Sequence, residues 1–181
     1  YILNHNYGRY IKQSINSALT QNYNDFKILI VDDGSTDNSK NILKKYENKK
    51  KIKIVYQKKK IGMVKSILKS IHSTDSEYFV RLDADDWLHK DFLKETMRSI
   101  ESNKKIGLVF PDYFEVDSHG KVINTIKRNK FNQKNNLLDF PAHGACTLFK
   151  RKIYNKTEGY NSKIKAQDGY DIWLKIIKKF H

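Results

Sequence analysis

Apolar positions change period along the chain, and each change marks the border of a predicted element. In "RYIKQSINSAL", Ile11, Ile15, Ala18 and Leu19 fall at i, i+4, i+7 and i+8, the stripe of an amphipathic helix. "FKILIVDD" follows as a short, β-branched and continuously apolar run, as expected of a strand covered on both faces. "GSTDNSKNILKKY" supplies a glycine turn, a choice of Ser35, Thr36 or Asp37 as N-cap, and a helix carrying Ile42, Leu43 and Tyr46. "KIKIVYQ" sets Ile52, Ile54 and Tyr56 two apart, and "GMVKSILKSI" returns Val64, Ile67, Leu68 and Ile71 to helical spacing. "EYFV" reads as the end of a half-buried strand, "DFLKETMRSIESN" as a helix, "IGLVFP" as a strand and "EVDSHGKVI" as a hairpin about a turn-rich centre. Segment 128–141 is polar and predicts a loop, and "GYDIWLKIIKKF" spaces Ile172, Trp173, Ile176, Ile177 and Phe180 as one helix face.

Strands that alternate with helices imply right-handed βαβ crossovers, so the predicted class is α/β: a mostly parallel, Rossmann-like sheet with helices on both faces. Composition does not break anywhere, no repeat is evident, and two prolines make no linker, which leaves residues 1–181 as a single domain. The first residue is Tyr1 and "YILNHN" reads like the tail of a strand, so the expectation is a domain truncated at both ends of a longer gene product. No apolar run approaches the roughly 20 residues that cross a bilayer; "ILIV" meets Asp32 and Asp33 at once. A lone Cys146 makes no internal disulfide and reads as a packed thiol, which fits a reducing cytosol.

Charge sharpens the picture. Lys and Arg number 35 against 20 Asp and Glu, a formal net charge of +15. That balance suits nucleic acid, an anionic membrane surface or an anionic substrate such as a nucleotide diphosphate. The runs "NKKKIKI" and "QKKKIG" lack the interleaved aromatics of a single-strand platform and any zinc-finger spacing, so solvated lysines come first and nucleic acid last. Against this background "RLDADDW" places three carboxylates in four positions at a strand end, and "IVDD" does the same with two. In an open parallel sheet, ligands bind beyond the carboxyl ends of the strands, so Asp32, Asp33, Asp83, Asp85 and Asp86 would share one rim. Their repulsion calls for a cation, and Mg²⁺ or Mn²⁺ on one or two carboxylates with phosphate oxygens is a natural solution. The plainer alternative is that Asp85 or Asp86 caps a helix starting near Asp91.

With these residues the chain resembles the inverting nucleotide-sugar glycosyltransferases of family 2, which have the GT-A fold. "NHNYGRYIKQSINSALTQNYNDFKILIVDDGSTDNS" is similar to the family's N-terminal signature, "FVRLDADDW" to its DxD segment, and "GACTLFKRKIYNKTEGYNSKIKAQDGYDIWLK" to its acceptor-side segment. The resemblance implies that Leu3 to Asn6, His5 among them, lie beneath the nucleotide, that Asp33 reads the base, and that Asp83 approaches the ribose. It also implies that Asp85, beyond Ala84, holds Mn²⁺ or Mg²⁺ against the diphosphate, and that Asp168 in "AQDGYD" is the general base. Asp171 is the neighbouring alternative, and a helix-start carboxylate is its plainer reading. The chain departs from the pattern in "LNHN", without the usual proline, and in "KKKIGMVKSILKSI", without the Asn before Gly or the Arg-Asn pair. Lys65 would replace the missing cation there, although an exposed helix lysine is an equal reading. His143 could touch an acceptor hydroxyl or be structural, Trp87 could be core or sugar platform, and Trp173 reads as core.

The expected activity is therefore metal-dependent transfer of a hexosyl or N-acetylhexosaminyl group, with a UDP-sugar favoured as donor. The acceptor would be a hydroxyl of a saccharide or glycolipid, in cell-surface polysaccharide or glycoconjugate synthesis. The expected location is cytoplasmic, peripheral at the inner face of an anionic membrane, with no nucleic acid partner. Two rivals remain: a sugar nucleotidyltransferase, which lacks its Gly- and Arg-rich pyrophosphate loop here, and a catalytically silent or basic binding module.

Overall fold

The computed structural model describes residues 1–128, 143–164 and 168–180, with no side-chain description for Phe180. Four short strands, β1 (Ile2–Asn4), β2 (Ile28–Asp32), β3 (Ile52–Tyr56) and β5 (Leu82–Asp83), form a parallel sheet in the order β3-β2-β1-β5. Three others, β4 (Tyr78–Val80), β9 (Leu148–Lys150) and β6 (Leu108–Val109), pair antiparallel in the order β4-β9-β6. One continuous stretch, 78–83, serves both sheets: β4 belongs to the second and β5 to the first, and Arg81 is the residue between them. The Arg81 carbonyl accepts from the Cys146 N–H at 2.7 Å, which docks the segment before β9 onto this switch point.

Strand alternation sorts the core into two faces. Ile2, Ile28, Ile30, Ile52 and Leu82 point to one side and pack with Ile11, Ile15 and Ala18 of α1 (Ile11–Leu19) and Leu43 of α2 (Ser39–Lys44). Leu3 and Phe79 point to the other, where Val64, Ile67 and Ile71 of α3 (Met63–His72) meet Ile172, Trp173 and Ile176 of α6 (Asp168–Phe180). Met97 and Ile100 of α4 (Phe92–Glu101) pack on Leu148, Val80 and Val109. Helices thus cover both faces of a largely parallel sheet, as the alternating pattern predicts.

Several local expectations are refined. Helix α2 begins at Ser39, and Asp37 caps it from outside by accepting the Ser39 N–H at 2.9 Å; Ser35 instead bonds Asp32. "IGLVFP" yields only the two residues of β6, and Tyr56 ends β3 exposed. The hairpin is present as β7 (Tyr113–Val116) and β8 (Val122–Ile126). Helix α5 (Arg151–Tyr154) and strand β9 have no counterpart in the periodicity reading. The loop expected over 128–141 lies, beyond Arg128, outside the described residues. Among the described residues, no helix is long and apolar enough to cross a membrane.

Candidate active site

The carboxyl ends of the parallel strands carry a layer of polar side chains that the strands themselves position. At the end of β1, buried Asn4 donates from Nδ2 to Asp32 Oδ1 at 2.8 Å and to Ser35 Oγ at 3.1 Å, tying β1 to β2. Leu3, one residue earlier, packs under α3. His5 Nδ1 lies 2.8 Å from the Asp33 carbonyl, which can only accept, so Nδ1 carries a proton and donates this bond. Asn6, at φ 62, turns the chain and accepts the Thr36 N–H at 2.8 Å, closing the loop over β2.

Asp33 is buried, and this chain uses its carboxylate heavily. Oδ1 accepts from Gln57 Nε2 at 3.1 Å and the Ile61 N–H at 2.7 Å, and Oδ2 accepts from the Gly62 N–H at 2.9 Å. A carboxylate offers about four lone-pair sites, so three are occupied and one is open. These bonds fold segment 57–62 across the strand end. Gly34, at φ +68, permits it: an added Cβ would stand 2.6 Å from the Lys59 carbonyl carbon and the Lys60 nitrogen. Lys65 sits exposed in the first turn of α3, just past this loop.

Asp83 and Asp168, distant in sequence, meet at one guanidinium. Arg81 Nη1 donates to Asp168 Oδ2 at 2.6 Å, while Nε lies 2.9 Å from Asp83 Oδ1. Gly144 presses against this pair, since a Cβ there would lie 2.7 Å from Asp168 Oδ2. Burial works against the Arg81 charge, but Asp83 and then Asp168 outweigh it and hold Arg81 above its ordinary value. Asp83 faces one cation and two like charges: burial first, with Asp85 and Asp168 adding, pushes its carboxyl up against the opposing pull of Arg81. One guanidinium thus serves two acids.

Ala84 is buried against the α1 side, and the chain then emerges, with Asp85, Asp86 and Trp87 exposed. Although the residue is exposed at its edge, partial desolvation of the Asp86 carboxyl, then the charges of Asp83 and Asp85, push it up to about 6. The Asp85 charge in turn is the largest cause raising the Tyr7 phenol. Neither Asp85 nor Asp86 caps a helix: α4 starts at Phe92, after Asp91. Among the described residues no hydrogen bond or ion pair engages the Asp85 carboxylate, and no three His, Cys, Asp or Glu side chains converge as a closed metal cage. An exposed, unengaged carboxylate beside two acids with raised affinity for protons fits a divalent ion that takes one or two protein oxygens and completes its shell with phosphate and water.

Asp171 does other work. Its Oδ2 accepts from Lys175 Nζ at 2.9 Å and the Asn161 N–H at 3.2 Å, holding the loop before α6. Trp173 is fully buried, as expected, and stacks on Phe110 with centroids 4.4 Å apart. His143 is exposed and meets Tyr113 edge-on at 5.7 Å; burial and then the Arg128 and Arg81 charges push its imidazole below the ordinary value. Cys146, beside Arg81, is a free thiol that burial pushes up to about 12.

The sequence model of Glycosyl transferase family 2 matches residues 1–157. The chain belongs to that family. Its family span includes Leu3, His5, Asp33, Lys65 and Asp83 to Asp86, and ends before Asp168. Among curated relatives, a chondroitin synthase of Escherichia coli is 27% identical over 177 residues, 97% of this chain and 26% of its own. A hyaluronan synthase of Pasteurella multocida is 28% identical over 97% of this chain and 18% of its own. This glycosyltransferase chain therefore spans about a quarter or less of those two synthases. Among solved structures, S. aureus TarS 1-349 in complex with UDP superposes with TM-score 0.78 at 18% identity, covering 97% of this chain and 53% of that one. A mannosyltransferase of Pyrobaculum calidifontis in complex with GDP-Man and Mn²⁺ superposes with TM-score 0.73 at 16% identity, covering 97% and 50%. The fold of this family 2 member is GT-A, and family membership displaces the nucleotidyltransferase reading.

Arg81 is the site residue that the motif reading missed. In a chain with 35 Lys and Arg a single arginine carries no signal by itself. Its setting does: in "FVRLD" it shares a strand face with Phe79 and Asp83, a cation on an apolar strand two residues from an acid.

Proposed function

We propose that this chain transfers a hexosyl or N-acetylhexosaminyl group from a nucleotide-diphosphate sugar, with UDP favoured, to an acceptor hydroxyl, inverting the anomeric configuration. The observation that supports it most is the Arg81 bridge, which brings Asp168 of α6 to Asp83 of β5 at the rim where the donor aspartates lie. In this reading Asp33 accepts a nucleobase N–H with its open lone pair while its other bonds keep segment 57–62 in place. His5 lies under the base, Asp83 meets the ribose, and Lys65 stands near the diphosphate. Asp85 would hold Mn²⁺ or Mg²⁺, an ion that stabilises negative charge on a departing diphosphate.

Asp168 takes the proton from the acceptor hydroxyl as its oxygen attacks the anomeric carbon from the face opposite the nucleotide. Oδ2 is committed to Arg81, which fixes the carboxylate in place and leaves Oδ1 for the hydroxyl. The Arg81 positive charge then sits beside both the donor and the base. Such chemistry suits cell-surface polysaccharide or glycoconjugate synthesis at the cytoplasmic face of a membrane, where exposed lysines such as Lys49, Lys50, Lys58 and Lys59 would face anionic lipid.

Two variants separate the roles. Asp85→Ala is expected to lose metal-dependent nucleotide binding, and Asp168→Asn to retain it while losing sugar transfer by about 10³-fold or more, the scale of a missing general base. Nucleotide titration and a product assay on both variants check this; retained transfer by Asp168→Asn would remove the base assignment.

A further inference from the structure

Arg128 follows β8 and is held in an aromatic cage. Its guanidinium carbon lies 5.0 Å from the Tyr113 ring centre, 5.6 Å from Phe110 and 6.0 Å from Trp173. Nε and Nη1 are shut off from water and hydrogen-bond to nothing among the described residues. The nearby carboxylate does not resolve this: Asp112 Oδ1 accepts the Arg128 backbone N–H at 2.7 Å, and no ion pair joins it to the guanidinium. Asp83 and Asp168 are both engaged by Arg81. Ring faces attract a cation but supply no acceptor atoms, so a desolvated guanidinium in this state is short of an oxyanion partner.

The position of the cage says which side of the reaction such a partner belongs to. Phe110 follows β6, at the end of the strand order remote from β2 and β3, where Asp33 and segment 57–62 sit. Tyr113 contacts both Arg128 and, edge-on, His143, and the His143 ring is within electrostatic range of Arg81, Asp83 and Asp168. The Arg128 cage is therefore connected to the Asp168 side of the site, the side given above to the acceptor.

We propose that Arg128 forms an oxyanion subsite, caged by Phe110, Tyr113 and Trp173, that selects acceptors bearing a carboxylate or phosphate next to the reacting saccharide unit. The inference rests on the transfer reading above, since the acceptor side is defined by Asp168. Arginine suits this role because its planar fork matches both groups, and pre-packing against rings removes the entropy cost of ordering it.

The test is binding of matched probes to the whole chain: methyl glucuronide against methyl glucoside, and glycerol 1-phosphate against glycerol, with UDP and Mn²⁺ as a separate arm. Wild type is expected to prefer the acid of one pair by about tenfold, and that pair identifies carboxylate or phosphate as the recognised group. Arg128→Met is expected to bring the ratio to about one with UDP affinity unchanged, and Arg128→Lys, a point charge without the fork, to an intermediate ratio. Melting of wild type supplies a readout that needs no variant, because only the preferred acid should raise Tm. The proposal is overturned if wild type shows no acid preference, if the preference survives in Arg128→Met, or if UDP affinity falls with it, which would assign the arginine to the donor diphosphate. Failure of wild type to bind UDP would instead count against the transfer reading, while the acid preference would still be read from the saccharide pairs.

Discussion

Arg81 carries the largest electrostatic burden in the site, because its one buried charge offsets Asp83 and Asp168 together. Removing one partner of a buried ion pair leaves the other desolvated and unpaired, at a cost of about 3–5 kcal/mol. Arg81→Ala is accordingly expected to lower the unfolding free energy by about that amount in urea titration. Asp86 behaves in the opposite sense. Its folded carboxyl titrates at about 6 against an ordinary 3.8, so the native state binds more protons between those values and stability falls as pH rises through that window. Asp86→Asn should therefore raise Tm at about pH 7.5, with the gain vanishing by about pH 3.5, as thermal melts at the two pH values would read. Asp33, Asp83 and Asp85 stand out in the sequence because acids at or just beyond strand ends are conspicuous in a basic chain, whereas Asp168, at the start of α6, is singled out only by the family resemblance. The Arg81 bridge and the tie from Asn4 to Asp32 are not legible in the sequence, since each depends on a partner far away along the chain.

At the level of elements, the chain reads well wherever one hydrophobic period lasts for a full strand or helix. Helices α1, α3, α4 and α6 and strands β2 and β3 all follow from Ile, Leu and Val spacing. The second sheet does not, because β4 pairs with β9 only after a separation of some 70 residues, and β6 is too short to show a period. The split of segment 78–83 between two sheets is likewise a property of its partners: β1 on one side and β9 on the other compete for neighbouring backbone. The loop that closes over Asp33 depends on a single backbone conformation. Gly34→Ala would impose a left-handed φ on a residue with Cβ, costing about 1–2 kcal/mol before any clash, and would drive that Cβ into the backbone at Lys59 and Lys60. The expected outcome is a lower urea midpoint together with weakened nucleotide binding, since the Ile61 and Gly62 N–H groups would leave Asp33.

Across the whole molecule, two hydrophobic layers flank the parallel sheet whose carboxyl ends carry Asn4, Asp32 and Asp83, and the Arg81 bridge ties Asp168 of α6 to that rim. In the proposed reading the acidic rim and the +15 net charge are complementary: exposed lysines would attract an anionic donor over a distance, and the aspartates would retain the cation it carries. The family match covers residues 1–157 and so includes the proposed donor aspartates, whereas Asp168 lies beyond it and is tied to them through the Arg81 bridge. The most direct test of the account is calorimetric titration of the purified, folded chain with UDP, GDP and CMP, each with and without Mn²⁺. A saturable UDP isotherm that requires the metal and is absent with CMP is expected. Nucleotide binding of equal strength with and without Mn²⁺, or none at all, would contradict it.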